Sequence, residues 1–175
     1  KVLAYDIDHQ HAPYYREFVL AAQPDAVKEL TIAAIAQQQK GNLTFAEELF
    51  LTVCHLSPQS ATYINLATLY GHRATEDSSK GETYDFYQQK ALNTLVEGLS
   101  VLGDDEALLK EIGFFHLYQG NVEIARDYLV RYVDLAGESK EKRHTMKILK
   151  DIETKLAGEQ RLMQAYDAIH MNREE

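Results

Sequence analysis

Two Gly-Asn pairs, Gly41-Asn42 and Gly120-Asn121, carry matching residues at matching offsets. A small residue follows each glycine at +5 (Ala46, Ala125), and a large apolar one follows at +9 (Phe50, Leu129). A helix breaker stands at +17 (Pro58, Gly137), and a small residue precedes at −7 (Ala34, Gly113). Gly120 stands far enough beyond Gly41 for two repeats of about 34 residues and a short surplus. A middle copy fills the gap: Ala67 takes the place of Ala34 and Gly113, and Ala91 and Leu95 repeat the spacing of Ala46 and Phe50. The surplus matches a polar stretch, Thr75 to Asp85, that replaces the usual short turn. Self-similarity at such a period means that each unit buries its apolar face against its neighbours.

The units read as helical hairpins. Val, Ile and Thr do not fall into the alternating runs that strands need, while Ala, Leu, Gln, Glu and Lys are abundant. Breakers at Pro13, Pro24, Gly41, Pro58, Gly71, Gly81, Gly103, Gly120 and Gly137 leave mostly helix-length segments. Apolar residues recur at helical spacing: Tyr15, Phe18, Val19 and Ala22 in 13–23; Leu30, Ala33 and Ala34 in 25–40; Tyr63, Leu66, Ala67 and Tyr70 in 59–73; Leu108, Leu109, Ile112 and Phe115 in 105–119. A last helical stretch runs from 139 to about 172, with Gly158 as a candidate interruption.

This pattern resembles the tetratricopeptide repeat family, whose helix–turn–helix unit spans about 34 residues. Tyr63 and Tyr70 match the family's early aromatic and later tyrosine in the middle unit, and Pro58 stands where the family often ends its second helix. The resemblance implies an all-α, right-handed superhelical array with a long C-terminal helix. The expected organisation is an N-terminal segment and packing helix at 1–24, three units at 25–137 with an insertion near 75–85, and a capping helix and tail at 138–175. Pro24 and Ala12 precede Pro58 and Ala46 by one repeat interval each, so 13–24 reads either as a decayed second helix or as a plain packing helix.

The resemblance further implies a concave face lined by first helices, binding a peptide or helix of a partner protein without catalysis. The expected groove residues are Thr31, Ile35 and Gln38, then Ile64, Thr68 and His72, then Lys110, Phe114, Leu117 and Tyr118. The last set is unusually apolar, so it takes an apolar partner segment or the chain's own C-terminal helix. The clamp by which some relatives hold chaperone carboxylates is not expected. Asn65 fits one of its places, but Thr31, Ile35, Ala107 and Glu111 occupy the others, offering no cation and one anion. The alternative function is a structural protein that self-associates through the C-terminal helix, giving a homo-oligomer. A third reading is a regulatory or receptor module of a larger chain.

Composition narrows the partners. The 18 Lys+Arg against 27 Asp+Glu give a net charge of −9, which disfavours a phosphate-binding surface and hence nucleic acid. All of that excess lies in residues 1–137; residues 138–175 hold eight of each sign. No apolar run reaches the roughly 18 residues of a membrane span. One cysteine excludes a disulfide framework within the chain and slightly favours the cytoplasm over the periplasm. The first residue is Lys1, which implies that something upstream was removed or left out.

The candidates for chemistry are few. Asp6-Ile7-Asp8-His9-Gln10-His11 groups two carboxylates and two imidazoles, but nothing visible supplies a fixed set of supporting groups, and a solvated terminal segment is expected. Cys54 is expected in the core, and His116 is expected to pack with a hydrogen bond. No phosphate loop, Ser/His/Asp set or His-Glu-x-x-His appears, so the reading is of a non-enzyme with no metal and no cofactor.

Overall fold

The computed structural model describes residues 1–76 and 81–171, with side chains described as far as Gln164. Among these residues every regular element is a helix: α1 (Val2–Tyr5), α2 (Ala12–Ala22), α3 (Ala26–Gln39), α4 (Leu43–Leu56), α5 (Ser60–Glu76), α6 (Glu82–Leu102), α7 (Glu106–Tyr118), α8 (Val122–Leu135) and α9 (Lys140–Met171). They divide into two compact units, Lys1–Leu108 and Leu109–Glu175.

The two Gly-Asn turns have one geometry. Gly41 and Gly120 sit at φ +79° and +80°, in the left-handed region that favours glycine. The Gly41 N–H donates to the Gln38 carbonyl (3.0 Å) and the Asn42 N–H to that of Gln37 (2.9 Å). At the second turn Gly120 donates to Leu117 (3.1 Å) and Asn121 to His116 (2.9 Å). Each is a Schellman closure, which satisfies carbonyls orphaned at the end of the preceding helix. Asn42 and Asn121 then accept the first bond of the next helix, from Ala46 (3.0 Å) and Ala125 (2.9 Å).

The repeat register also locates the interior. Ala34, Ala67 and Gly113, then Ala46, Ala91 and Ala125, then Phe50, Leu95 and Leu129 are all buried. In the second unit Gly113 is glycine because α8 crosses it closely: a Cβ there would lie 2.6 Å from Leu129 Cδ2. In the first unit Gly98 faces Tyr63 in the same way, at 2.7 Å from Cγ. Other ends are capped by side chains. Asp105 accepts from the Ala107 and Leu108 N–H groups at the start of α7, and Ser139 Oγ accepts from the Lys142 N–H at the start of α9.

Four expectations change. First, a short helix precedes the mostly exposed segment 6–11: α1 packs Leu3 into a cluster with Ala12, Ala26 and Leu56, and the Leu3 carbonyl lies 2.6 Å from His55 Nδ1. Second, α2 turns Ala12, Val19 and Leu20 inward, while Tyr15, Phe18 and Ala22 are exposed. The inward face is set by Arg16, whose Nε donates to the His55 carbonyl at 2.8 Å and fixes which side meets α4. Third, the described residues of the polar stretch at 75–85 are helical at both of its ends, because α5 continues to Glu76 and α6 begins at Glu82. Asp77 and Lys80 lie outside the described residues. Fourth, α9 runs through Gly158 unbroken, since one glycine in a helix interior costs only about 1 kcal/mol.

Candidate functional site

In the first unit the expected groove residues lie on α3 and α5. Thr31 and Gln38 are half-buried on α3, and Ile35 is 39% exposed. On α5 Ile64 is half-buried, while Thr68 and His72 are exposed. The threonine hydroxyls are used locally, Thr31 donating to the Val27 carbonyl and Thr68 to that of Ile64. Gln38 Nε2 lies 3.3 Å from His72 Nδ1, and the two residues are 34 apart in sequence. This exposed contact links α3 to α5. Ile32, 57% exposed, widens its apolar part.

In the second unit the expected residues separate. Phe114 and Leu117 pack against the Leu129, Leu149 and Ile152 cluster, together with Ile148 and Leu156 of α9. The chain's own C-terminal helix thus covers much of the apolar excess on α7. Tyr118 points away, 93% exposed. Lys110 pairs with Glu141 at 3.2 Å, and that contact raises the lysine's pKa against the opposing effect of burial. Between α7 and α9 lies an open cavity of about 360 Å3, lined by Lys110, Phe114, Lys140, Glu141, His144 and Thr145.

One polar cluster gives no sign of itself in the sequence. Glu47, buried on α4, accepts from Tyr70 Oη (2.9 Å) and Lys90 Nζ (2.7 Å) and pairs with Arg73 (3.2 Å). Arg73 also donates to Tyr87 Oη and Thr44 Oγ1, and Lys90 lies 4.4 Å above the Tyr70 ring. Burial pushes the Tyr70 hydroxyl up, and the Glu47 carboxylate adds to the shift. These partners tie α4, α5 and α6 together. A carboxylate that already holds two cations and a phenol is a structural tie rather than a free acid or base.

The remaining candidates are inert by geometry. Cys54 is buried, and its thiol is pushed up to about 12 by burial and by Glu97, which leaves it protonated. His116 stacks on Tyr128 at 5.9 Å with an interplanar angle of 12°. Its Nδ1 is buried with no hydrogen-bond partner among the described residues, contrary to the expected bond. Burial lowers its pKa. His9 and His11 lie 5.6 Å apart, and the His11 N–H donates to His9 Nδ1. No group of three or more His, Cys, Asp or Glu among the described residues is placed to hold a metal ion. No helix of the described residues is long and apolar enough to cross a membrane. No protein-family model matches this chain, and no curated protein does either.

Proposed function

We propose that the chain is a tetratricopeptide-like module that binds a peptide or helix of a partner protein and catalyses no reaction. The observation that carries this reading is the Gln38–His72 contact. It joins the outer faces of α3 and α5 at the repeat spacing, so that Thr31, Ile35, Ile64 and Thr68 form one side of a shared surface. Such a face has the make-up of a helix- or strand-accepting groove: an apolar centre, with amides and hydroxyls at the margin. The buried repeat positions support the array, since stacked hairpins need small residues where helices cross and large ones between units.

Photo-crosslinking tests this reading. Benzoylphenylalanine placed at Ile35 or Thr68 captures a displayed peptide, and the same group at exposed Glu17 on α2 does not. Equal capture at all three positions overturns the surface assignment.

The second reading, self-association through the C-terminal helix, is favoured by one observation. Beyond Leu156 the described side chains of α9 are exposed, including Leu162 at 74% and Met163 at 70%. Tyr166 and His170, which stand at helical spacing from Met163, lie outside the described side chains. Light scattering tests this reading: a monomer at every concentration up to the millimolar range removes it.

A further inference from the structure

The acidic excess of this protein is confined to one unit. Residues 1–108 hold seven Lys and Arg against 15 Asp and Glu, whereas residues 109–175 hold 11 against 12. Within the second unit, residues 140–150 invert the sign, with five Lys and Arg against one acid, Glu141. Helical spacing places most of that charge on one stripe. Lys140, Arg143, His144 and Lys147 stand at i, i+3, i+4 and i+7, and all four are exposed. The neighbouring stripe, Thr145, Ile148, Leu149 and Ile152, is buried or half-buried in the same unit, so the core fixes the direction in which the basic ridge faces.

The ridge borders the cavity of about 360 Å3, to which Lys140 and His144 both contribute. Phe114 supplies apolar wall, and Lys110 supplies a further cation. Lys110 is held only by Glu141, a carboxylate 71% exposed, and a pair so open to water contributes little. An incoming carboxylate competes with Glu141 for Lys110. Lys140 and Lys147 carry no ion pair among the described residues. The volume lies near the low end of ligand pockets and suits one large side chain rather than an extended cofactor.

We infer that the cavity between α7 and α9 of the second unit takes a short acidic peptide segment bearing one bulky apolar side chain. The apolar group lies against Phe114, and the flanking carboxylates lie along Lys110, Lys140, Arg143 and Lys147. This inference rests on the peptide-binding reading above and names the chemistry of the partner. A nucleic acid fits less well, because its phosphate backbone offers no apolar group to Phe114.

The test uses the whole chain and three labelled decapeptides, read by fluorescence anisotropy. The first has one Leu among Asp and Glu, the second has the same Leu among Lys and Ser, and the third has Ala in place of the Leu in the acidic sequence. The acidic Leu peptide binds at least tenfold more tightly than the other two, and its affinity falls as salt rises from about 0.05 to about 0.5 M. The charge-reversed protein Lys140→Glu/Lys147→Glu, altered only at exposed positions, keeps its helical circular dichroism and loses about tenfold or more in affinity. Equal binding of all three peptides, no effect of the reversal, or displacement by an equimolar single-stranded oligonucleotide overturns the inference. A display selection on the same protein separates this inference from the broader reading. Selected peptides without acidic enrichment that crosslink at position 35 or 68 overturn the acidic-peptide site and leave the groove. A selection that yields no peptide overturns both.

Discussion

Replacing Gly113 by alanine sets two known effects against each other, and the geometry decides the sign. Alanine in a helix interior gains about 1 kcal/mol over glycine, through lower backbone entropy in the unfolded chain. Against this, the new Cβ would lie 2.6 Å from Leu129 Cδ2, 2.7 Å from Cγ and 3.3 Å from the Leu129 backbone nitrogen. Comfortable carbon–carbon contact begins at about 3.5 Å, so the overlap approaches about 1 Å. Leu129 is fully buried in a cluster with Leu149 and Ile152, so its shift must be absorbed by packed neighbours. Overpacking of this kind costs about 1–3 kcal/mol, and the backbone approach places Gly113 near the upper end. The net expectation is a loss of about 1–2 kcal/mol. Gly71 is the control: it is also helical, with nothing within 4 Å of a built Cβ, so Gly71→Ala should gain up to about 1 kcal/mol. Urea melts followed by circular dichroism should place the two variants on opposite sides of the parent. In the Leu129→Ala background the cost of Gly113→Ala should shrink to what the backbone contact imposes, a coupling that a double-mutant cycle reads directly. A Gly113→Ala protein as stable as Gly71→Ala would refute the claim that glycine is there for close helix approach.

Three further expectations rest on the same geometry. Glu47→Ala removes the acceptor of Tyr70, Arg73 and Lys90 together and should cost about 3 kcal/mol, with Glu47→Gln costing less; equal midpoints in urea for parent and Glu47→Ala would show that the cluster is ornamental. Burial lowers the pKa of His116, so its contribution to stability is complete above the unfolded value of about 6.5 and is lost as pH falls below it toward the folded value. His116→Phe should therefore flatten the stability profile as pH falls below about 6.5, and an unchanged slope there would exclude the histidine as its source. Gly41→Ala and Gly120→Ala should each cost about 1–2 kcal/mol, and by similar amounts, because both turns hold φ near +80° with no Cβ obstacle; Gly41→Asn should cost less, and a large inequality between the two alanine variants would mean that the closures are not equivalent.

What was legible in the sequence was whatever recurs. The repeat interval marked the buried positions at Ala34, Ala67 and Gly113 and the left-handed glycines at 41 and 120, because helix crossing and chain reversal make the same local demand in every unit. What recurs nowhere was missed. Tyr15 and Phe18 fit an apolar stripe on α2 as well as any core residue does, yet the Arg16 contact with the His55 carbonyl, 39 residues away in sequence, turns that stripe outward. Glu47 reads as an ordinary solvated charge because its partners Tyr70 and Lys90 lie 23 and 43 residues on. The polar run at 75–85 read as a loop from composition, but Glu82, Thr83, Tyr84 and Asp85 belong to a helix of 21 residues whose later turns, with Ala91, Thr94 and Leu95 buried, are anchored well enough to propagate backward.

The candidate surfaces follow the same division. The stripe from Thr31 to His72 is an expectation from the repeat register, and the contact observed is that of Gln38 with His72, 34 residues apart. The cavity beside Lys140 needed the structure, because its walls come from two helices that the repeat treats differently. α7 is a first helix by the repeat offsets, whereas α9 belongs to no repeat and carries a charge pattern of its own. The acidic excess of residues 1–108 and the basic ridge of α9 are thus features of different units, each with a charge pattern of its own.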